Sequence, residues 1–223
     1  MPDDRLPAPR AILFDWDNTL VDSWGSIHHA LKVTFEHLGE TPWTLEETRQ
    51  RVRASARDSF PALFGARTDE ATRIFYATYE RDHTEKLAPL PGSAEMLQGL
   101  AGSRLPLGVV SNKLGRLLRR EAEHLGWDAH FAEVVGAGDA PRDKPALDPV
   151  ELALAETGLA PGPEIWFVGD TDIDLRCAAA GGCTRILLRP EGPADGEFPG
   201  HEPHLHLRSC AELAEAVRIS LQP

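Results

Sequence analysis

Five short runs of apolar residues, separated by helical patterns, limit the fold of this chain more than any other feature of its sequence. The runs lie at 11–14, 107–110, 133–135, 165–168 and 186–188. Runs of this length without polar alternation are typical of strands buried on both faces of a parallel sheet. Because helical patterns lie between them, the sequence predicts an α/β fold with a Rossmann-like, doubly wound parallel sheet.

The segment from 23 to 88 interrupts this alternation, because it contains three helical patterns and no convincing strand. The helices are predicted over 27–38, near 44–60 and near 69–86. Gly39 marks the end of the first helix. We therefore predict a small helical domain over 23–88, inserted into a core domain that is formed by 1–22 and 89–223.

Composition and charge exclude several classes of partner. The 223 residues include 23 Lys and Arg against 35 Asp and Glu, which gives a formal charge of −12. This acidic excess argues against nucleic acid, whose binding needs a basic surface, and against docking on anionic membranes. With 42% hydrophobic and 26% charged residues, the composition is that of a soluble globular protein.

The cellular location is predicted from three further features. No stretch approaches the roughly 20 apolar residues of a membrane span, and the first residues lack the apolar segment of a secretory signal. Cys177, Cys183 and Cys210 are an odd number without paired spacing and are predicted to be reduced thiols. We therefore expect a cytoplasmic protein, and no feature of the sequence indicates its oligomeric state.

Acidic and polar residues stand where the predicted strands end. The groups are Asp15-Trp16-Asp17-Asn18-Thr19, Ser111-Asn112-Lys113, Lys144-Pro145 and Gly169-Asp170-Thr171-Asp172-Ile173-Asp174. Taken singly, an Asp or Ser after a strand also serves as a helix cap, and a lysine also lies on the solvated surface. In open α/β sheets, however, ligands bind outside the carboxyl ends of the strands, so these groups are expected to meet. Crowded carboxylates repel each other without a cation, and Mg²⁺ is a cation that oxygen ligands suit.

Carboxylates, a hydroxyl and a lysine around a divalent cation indicate phosphoryl chemistry. An aspartate can attack phosphorus and form an aspartyl-phosphate, and Mg²⁺ would neutralise both anions so that they can meet. Ser111, the Asn112 amide and Lys144 would supply donors to the phosphoryl oxygens in the transition state. A second carboxylate, two residues after the nucleophile, would protonate the leaving oxygen and later activate water.

These residues resemble the motifs of the haloacid dehalogenase superfamily, in its phosphatase branch with a helical cap. The resemblance covers about residues 11–190 and rests on four motifs in order: Asp15-x-Asp17-x-Thr19, Ser111 after a strand, Lys144-Pro145 and Gly169-Asp170-Thr171-x-x-Asp174. The residues flanking these motifs are most similar to those of phosphoglycolate phosphatases. The helical insertion resembles the small cap of that family, which closes over the site and excludes water.

The resemblance implies a role for each residue of the first motif and a metal site. Asp15 would be the nucleophile, Asp17 the general acid and base, and Thr19 the residue that positions Asp17 and its loop. A Mg²⁺ site would be formed by Asp15, the backbone carbonyl of Asp17, Asp170 and, in a supporting position, Asp174. Asn18 stands where glycine is commoner in the family, and asparagine tolerates the left-handed backbone that glycine favours.

The resemblance also implies that Ser111 and Asn112 hold the phosphoryl group while Lys144 neutralises its charge. Only four of the 23 basic residues are lysines, which supports a specific role for Lys144, since a planar guanidinium does not replace a compact ammonium. The same argument applies more weakly to Lys113. In the insertion, Arg53 or Arg57 is predicted to bind an acidic group of the substrate; the alternative is that both lie on a solvated helix face.

The favoured function is a Mg²⁺-dependent phosphomonoester hydrolase that acts on a small phosphorylated cytosolic metabolite, with 2-phosphoglycolate as the first candidate. One alternative within the fold is a sugar phosphomutase that resembles β-phosphoglucomutase and shares the cap and Asp17. The alternative from another class is a non-enzymatic aspartyl-phosphate switch or binding protein. Receiver-like switch domains, however, are too short for the insertion and lack the Asp170 and Asp174 pair. A dehalogenase would lack the second aspartate and need no metal.

Overall fold

Six parallel strands form the main sheet of this computed structural model, which describes residues 6–52, 54–103 and 105–222. In chain order, the strands are β1 (Ala11–Phe14), β2 (Val21–Asp22), β3 (Ala88–Pro89), β4 (Leu107–Leu114), β5 (Glu133–Ala137), β6 (Ile165–Gly169), β7 (Thr184–Leu188) and β8 (Leu205–Leu207). The order across the main sheet is β5-β4-β1-β6-β7-β8, and every neighbouring pair is parallel. The predicted parallel α/β architecture is confirmed.

Helices cover both faces of this sheet. Those of the described ranges are α1 (Trp24–Leu38), α2 (Leu45–Arg51), α3 (Ala56–Phe64), α4 (Thr68–Asp82), α5 (Ser93–Ala101), α6 (Gly115–His124), α7 (Asp148–Leu154), α8 (Asp172–Ala180) and α9 (Cys210–Ser220). Ile12 and Phe14 of β1 pack in one apolar cluster with α5, α6 and α9, whereas Leu13 packs in another with α7 and α8. Successive strand residues point to opposite faces, so both clusters draw on the same strand. None of these helices is long and apolar enough to cross a membrane.

The strand order creates a crevice at the centre of the sheet. β1 lies between β4 and β6, and the chain continues outward to β5 on one side and to β7 on the other. At such a switch point the loops after the central strands diverge, and ligands bind in the opening outside the carboxyl ends. The groups at the ends of β1, β4 and β6 therefore face one crevice.

The helical insertion, defined as residues 24–82, comprises α1 to α4 and has an apolar cluster of its own. Its buried members are Leu31, Phe35, Leu38, Phe60, Ala71 and Ile74. α1 ends at Gly39, which has a φ of 73° as a left-handed helix cap. The boundaries of a core formed by 1–22 and 89–223 and a cap over 23–88 remain a prediction.

Two details of the insertion differ from the sequence prediction. The single helix predicted near 44–60 is wrong, because Val52 adopts an extended backbone and Ser55 starts a new helix by accepting a hydrogen bond from the Asp58 N–H at 3.3 Å. The helix predicted near 69–86 ends at Asp82. The short antiparallel pair of β2 and β3, which closes the base of the insertion, was not predicted.

Candidate active site

The carboxylate of Asp15 follows β1 directly and forms a buried ion pair with Lys144. The Asp15 N–H donates to the Val168 carbonyl at 2.8 Å, which continues the pairing of β1 with β6 by one residue. Lys144 Nζ lies 2.7 Å from Asp15 Oδ1 and 2.7 Å from Asp174 Oδ1. Burial disfavours charge on Lys144, but the two carboxylates outweigh it and raise the pKa of Lys144 above its usual range. The side chain is therefore an ammonium that connects the end of β1 with the first turn of α8.

Asp174 is held from both sides and supports this bridge. Its Oδ2 accepts hydrogen bonds from the N–H of Thr171 at 3.0 Å and from the Thr171 hydroxyl at 2.8 Å, a capping box at the start of α8. A Cβ on Gly169 would lie 2.3 Å from the Cβ of Asp174, so only glycine allows this close approach. A side chain at position 169 would therefore displace Asp174 from its place beside Lys144.

Three carboxylates crowd this edge of the sheet. Oxygens of Asp15, Asp170 and Asp174 lie within 4.8 Å of one another. Burial, opposed by Lys144 and reinforced by Asp174 and Asp17, raises the pKa of Asp15 to about 7. Burial and the carboxylates of Asp174 and Asp15 likewise raise the pKa of Asp170 well above its usual range. Because Lys144 supplies one positive charge to three acids, this set of oxygen donors suits a divalent cation.

The loop after β1 takes the left-handed turn that the sequence suggested. Asn18 has a φ of 64°, and its N–H donates to the Val21 carbonyl at 2.6 Å. The Thr19 hydroxyl lies 3.4 Å from Oδ2 of Asp15. Thr19 therefore faces the predicted nucleophile, whereas we predicted that it would position Asp17.

Asp17 is paired with a second buried lysine. Lys113 Nζ lies 2.6 Å from Asp17 Oδ1 and 2.5 Å from Glu121 Oε2. Burial opposes the charge of Lys113, but Asp17, Tyr79 and Glu121 raise its pKa well above its usual range. The Lys113 ammonium thus connects Asp17, after β1, with a carboxylate on α6.

Glu121 is the functional candidate that sequence reasoning missed. It is fully buried, and besides Lys113 it accepts hydrogen bonds from Trp16 Nε1 at 2.7 Å and from the Tyr79 hydroxyl at 3.1 Å. His83 Nδ1 lies 2.7 Å from Glu121 Oε1. An acid at a helical spacing from the apolar residues of α6 was the available signal, because such a position normally faces the core.

Ser111 and Asn112 lie within β4, where its pairing with β5 shifts register between Val110 and Leu114, and both line the crevice. Both side chains already have partners: Ser111 Oγ accepts a hydrogen bond from the Lys113 N–H at 3.2 Å. The Asn112 side chain donates to the Lys144 carbonyl at 3.2 Å and accepts from the Lys144 N–H at 3.0 Å. The Asn112 side chain therefore fixes the backbone of Lys144. The predicted contact of Asn112 with a phosphoryl group is left to the backbone N–H of Asn112.

Of the two arginines predicted to bind an acidic group of the substrate, the structure describes Arg57. Arg53 lies outside the described residues. The Arg57 guanidinium lies 2.6 Å from Oδ1 of Asp143, in the segment just before Lys144, and Arg57 does not line the crevice. Arg51 does line it, and its guanidinium lies 5.0 Å from the centre of the Trp43 ring.

A cavity of about 400 Å³ opens above Asp15 and continues into the helical insertion. Its floor is formed by the residues at the strand ends, including Asp17, Ser111, Lys144 and Asp170. Its walls come from α1, α3, α4 and the segment around α2. A concave site of this size with converging polar groups is typical of small-molecule binding.

Three histidines near the C-terminal end of the chain, His201, His204 and His206, each contact a different residue. His204 Nδ1 accepts a hydrogen bond from the Arg185 N–H at 2.9 Å, and His206 Nε2 lies 2.9 Å from the Arg189 carbonyl. His201 contacts Asp172 on α8. Each of these three side chains therefore has a partner outside the crevice.

Comparisons with known proteins identify the family to which the chain is similar. The family model for haloacid dehalogenase-like hydrolases matches residues 12–188. The phosphoglycolate phosphatase of Chromobacterium violaceum is 31% identical over 218 residues, which cover 94% of this chain and 96% of that protein. The phosphoglycolate phosphatase of Escherichia coli (strain K12) is 29% identical over 205 residues, 80% of this chain and 81% of that protein.

Solved structures share the fold over nearly the whole chain. A predicted phosphoglycolate phosphatase from Haemophilus somnus superposes with a TM-score of 0.81 at 20% identity, covering 96% of this chain and 99% of that one. A haloacid dehalogenase-like hydrolase from Streptococcus pneumoniae superposes with a TM-score of 0.80 at 23% identity, covering 95% and 98%. The predicted fold, the resemblance to capped phosphatases and the enzyme class are confirmed. The chain belongs to the haloacid dehalogenase-like hydrolase family.

Proposed function

We propose that this hydrolase is a Mg²⁺-dependent phosphomonoesterase whose nucleophile is Asp15. The observation that carries the proposal is the position of the Asp15 carboxylate. It lies at the floor of the cavity, 2.7 Å from the Lys144 ammonium and among the oxygens of Asp170 and Asp174. A carboxylate in such a place can attack an electrophile, and the surrounding charges can accept a phosphate.

The donors at the strand ends support a site for Mg²⁺. Asp15, the backbone carbonyl of Asp17 and Asp170 would hold the ion, and Asp174 would support them while it retains Lys144 and Thr171. When bound, Mg²⁺ supplies positive charge that offsets the repulsion between the nucleophile and the phosphate. Burial and the neighbouring carboxylates raise the pKa of Asp15 and of Asp170, and a divalent cation among these oxygens would stabilise their charged forms.

The reaction takes two steps on the residues of the chain. An oxygen of Asp15 forms a bond to phosphorus while the bond to the alcohol oxygen breaks, and Asp17 gives its proton to the departing alcohol. Asp17 then takes a proton from water, whose oxygen attacks phosphorus and releases inorganic phosphate from Asp15. Ser111, the Asn112 backbone amide and Lys144 provide donors to the phosphoryl oxygens in both steps.

Lys113 and Glu121 are proposed to hold Asp17 in place for this proton transfer. The Lys113 ammonium contacts Asp17 at 2.6 Å, and Glu121 fixes the ammonium from the other side at 2.5 Å. Because Glu121 also binds Tyr79 and His83 near the end of α4, the position of the helical insertion is linked to that of Asp17.

We propose that the helical insertion is a cap over the cavity, with the domain boundaries 1–22, 23–88 and 89–223. Two contacts support this assignment, because they join different helices of the insertion to the core. Arg57 on α3 pairs with Asp143, and Tyr79 on α4 binds Glu121. A cap that is held against the core by these contacts would exclude water from the phosphoryl group.

The substrate is proposed to be a small phosphorylated metabolite of the cytoplasm. 2-Phosphoglycolate is the first candidate, because the curated relatives are phosphoglycolate phosphatases. The three cysteines are buried free thiols, which agrees with a reducing compartment.

The test is a phosphate-release screen of the purified protein over many phosphate esters, with Mg²⁺ and with a chelator. We expect free phosphate with Mg²⁺ and almost none with chelator or with Asp15→Asn. Isomerised sugar phosphate as the main product would point to a mutase instead. Retained turnover in Asp15→Asn would refute the assignment of the nucleophile.

A further inference from the structure

The cavity wall that faces the candidate nucleophile from the helical insertion is apolar. Its large side chains are Trp24, Ile27, Trp43, Leu63, Phe75 and Tyr76. The cavity volume of about 400 Å³ lies within the roughly 300–1,000 Å³ that is usual for small-molecule sites. A phosphate group bound at Asp15 would occupy only the floor of the cavity, so the remainder of the substrate would face this wall.

The described arginines of the insertion on or near this wall, Arg51 and Arg57, are already paired with acidic side chains. Within the described ranges, Arg51 is the one lysine or arginine of the insertion that lines the cavity. Its guanidinium lies 3.1 Å from Glu47 and stacks over the Trp43 ring at 5.0 Å. Arg57 is paired with Asp143 outside the cavity. Among the residues that the structure describes, the wall therefore offers apolar area to a ligand and no unpaired cation for a second anionic group.

We infer that the alcohol part of the substrate carries an apolar group about the size of an aromatic ring, which packs against this wall. The inference rests on the proposed phosphomonoesterase activity, because it places the phosphate of the ester at Asp15, and it favours a ring-bearing ester over 2-phosphoglycolate as the substrate. The alcohol part of 2-phosphoglycolate has two carbons and a carboxylate, so it fills little of the cavity and offers the wall no apolar surface. A ring next to the phosphate would cover the wall and displace water from it, and burial of apolar area favours binding.

A matched pair of esters tests the inference. Ethyl phosphate and 2-phenylethyl phosphate both leave as simple primary alcohols and differ in the ring. Their phosphonate analogues, which cannot be hydrolysed, report binding without turnover. We expect 2-phenylethylphosphonate to bind with Mg²⁺ at least about tenfold more tightly than ethylphosphonate in calorimetry, and kcat/KM of the two esters to differ in the same direction. Equal affinity of the two phosphonates would overturn the inference.

Leu63 provides the variant, because 37% of it is exposed and a polar replacement does not disturb a packed core. Leu63→Asp and Leu63→Asn should each reduce the affinity ratio of the two phosphonates toward one, and use of the ratio cancels any general loss of binding. Leu152→Asp is the matched control, since Leu152 is 38% exposed on α7 and does not line the cavity. An unchanged ratio in both Leu63 variants would overturn the assignment of the wall. Failure of the proposed function would be distinct, because phosphate release would be absent from both esters while the affinity ratio persisted.

Discussion

The Lys144 ammonium lies 2.7 Å from Oδ1 of Asp15, although the two residues are 129 positions apart in the chain. Both side chains are buried, so solvent contact would replace little of the stabilisation that each charge receives from the other. Removal of one partner from a buried ion pair typically costs about 3–5 kcal/mol, because the other charge remains unpaired. The pair thus contributes to folding and also fixes the candidate nucleophile beneath the cavity.

Replacement of Lys144 should abolish most turnover. In Lys144→Met, we expect kcat/KM for a phosphate ester to fall by at least about 100-fold, because a charged donor to the transition state is lost. Lys144→Arg should recover little of this activity, since a planar guanidinium does not fit between Asp15 and Asp174 as an ammonium does. Phosphate-release assays measure both effects, and near wild-type activity of Lys144→Arg would contradict the role of a compact charge.

Replacement of Lys113 should lower kcat/KM most for substrates with poor leaving groups. If Lys113 holds Asp17 for proton donation, Lys113→Met should lower kcat/KM for ethyl phosphate by about tenfold or more. The same variant should change kcat/KM for p-nitrophenyl phosphate much less, because nitrophenolate leaves without a proton. Asp17→Asn should show the same pattern more strongly. Lys32→Met, on the exposed surface of α1, is the control and should alter neither ester. An equal loss on both esters would indicate that Lys113 has only a structural role.

Glu121 should contribute to stability in a manner that depends on pH. Burial disfavours its charge, but Lys113 and hydrogen bonds from His83, Lys113 and Trp16 outweigh this and lower the pKa of Glu121 below 4.5. A carboxyl whose pKa is lower in the folded state stabilises the fold above its unfolded pKa, and this contribution is lost as the pH falls through the folded pKa. Near pH 7, Glu121→Gln should lower the free energy of unfolding by about 3–5 kcal/mol.

Urea unfolding at several pH values measures this effect. The difference between wild type and Glu121→Gln should be largest above about pH 4.5 and should shrink at lower pH. Glu123→Gln, an exposed position on the same helix, is the control and should show a difference below about 0.5 kcal/mol. A Glu121→Gln difference that stays constant from neutral to acidic pH would contradict the assignment.

Replacement of Arg57 should lower kcat/KM by the same factor for all substrates. Because its guanidinium pairs with Asp143 and does not line the cavity, Arg57→Gln should weaken only the contact between insertion and core. We expect kcat/KM to fall by less than about fivefold, and by the same factor for 2-phosphoglycolate and p-nitrophenyl phosphate, as a half-exposed pair is weak. A rise in KM confined to the carboxylate-bearing substrate would instead support the prediction that Arg57 binds an acidic group.

The sheet and the position of the site could be predicted because they depend on local signals. The apolar run at 11–14 ends abruptly in Asp15, and topology then brings Ser111, Lys144 and Asp170 to the same edge. Asn18 also carried a local signal, since its side chain is one of the few that tolerate a positive φ.

Contacts between distant segments could not be predicted. The sequence around Glu121 does not reveal that Tyr79 and His83 lie against it, because those contacts depend on how α4 packs on α6. The same holds for Arg57, whose partner Asp143 lies 86 positions away, counted from residue 57 to residue 143. The break at Val52 was missed because the helical period continues through it, while the new cap at Ser55 depends on one hydrogen bond.

The most direct test of the central claim is a search for phosphate on Asp15. Asp17→Asn lacks the base that activates water, so it should react once with p-nitrophenyl phosphate and Mg²⁺ and then stop. We predict one equivalent of nitrophenol per protein, together with one phosphoryl group on the peptide that contains Asp15, detected by mass spectrometry after acid quench. Release of nitrophenol without a phosphoryl group on that peptide would contradict the account.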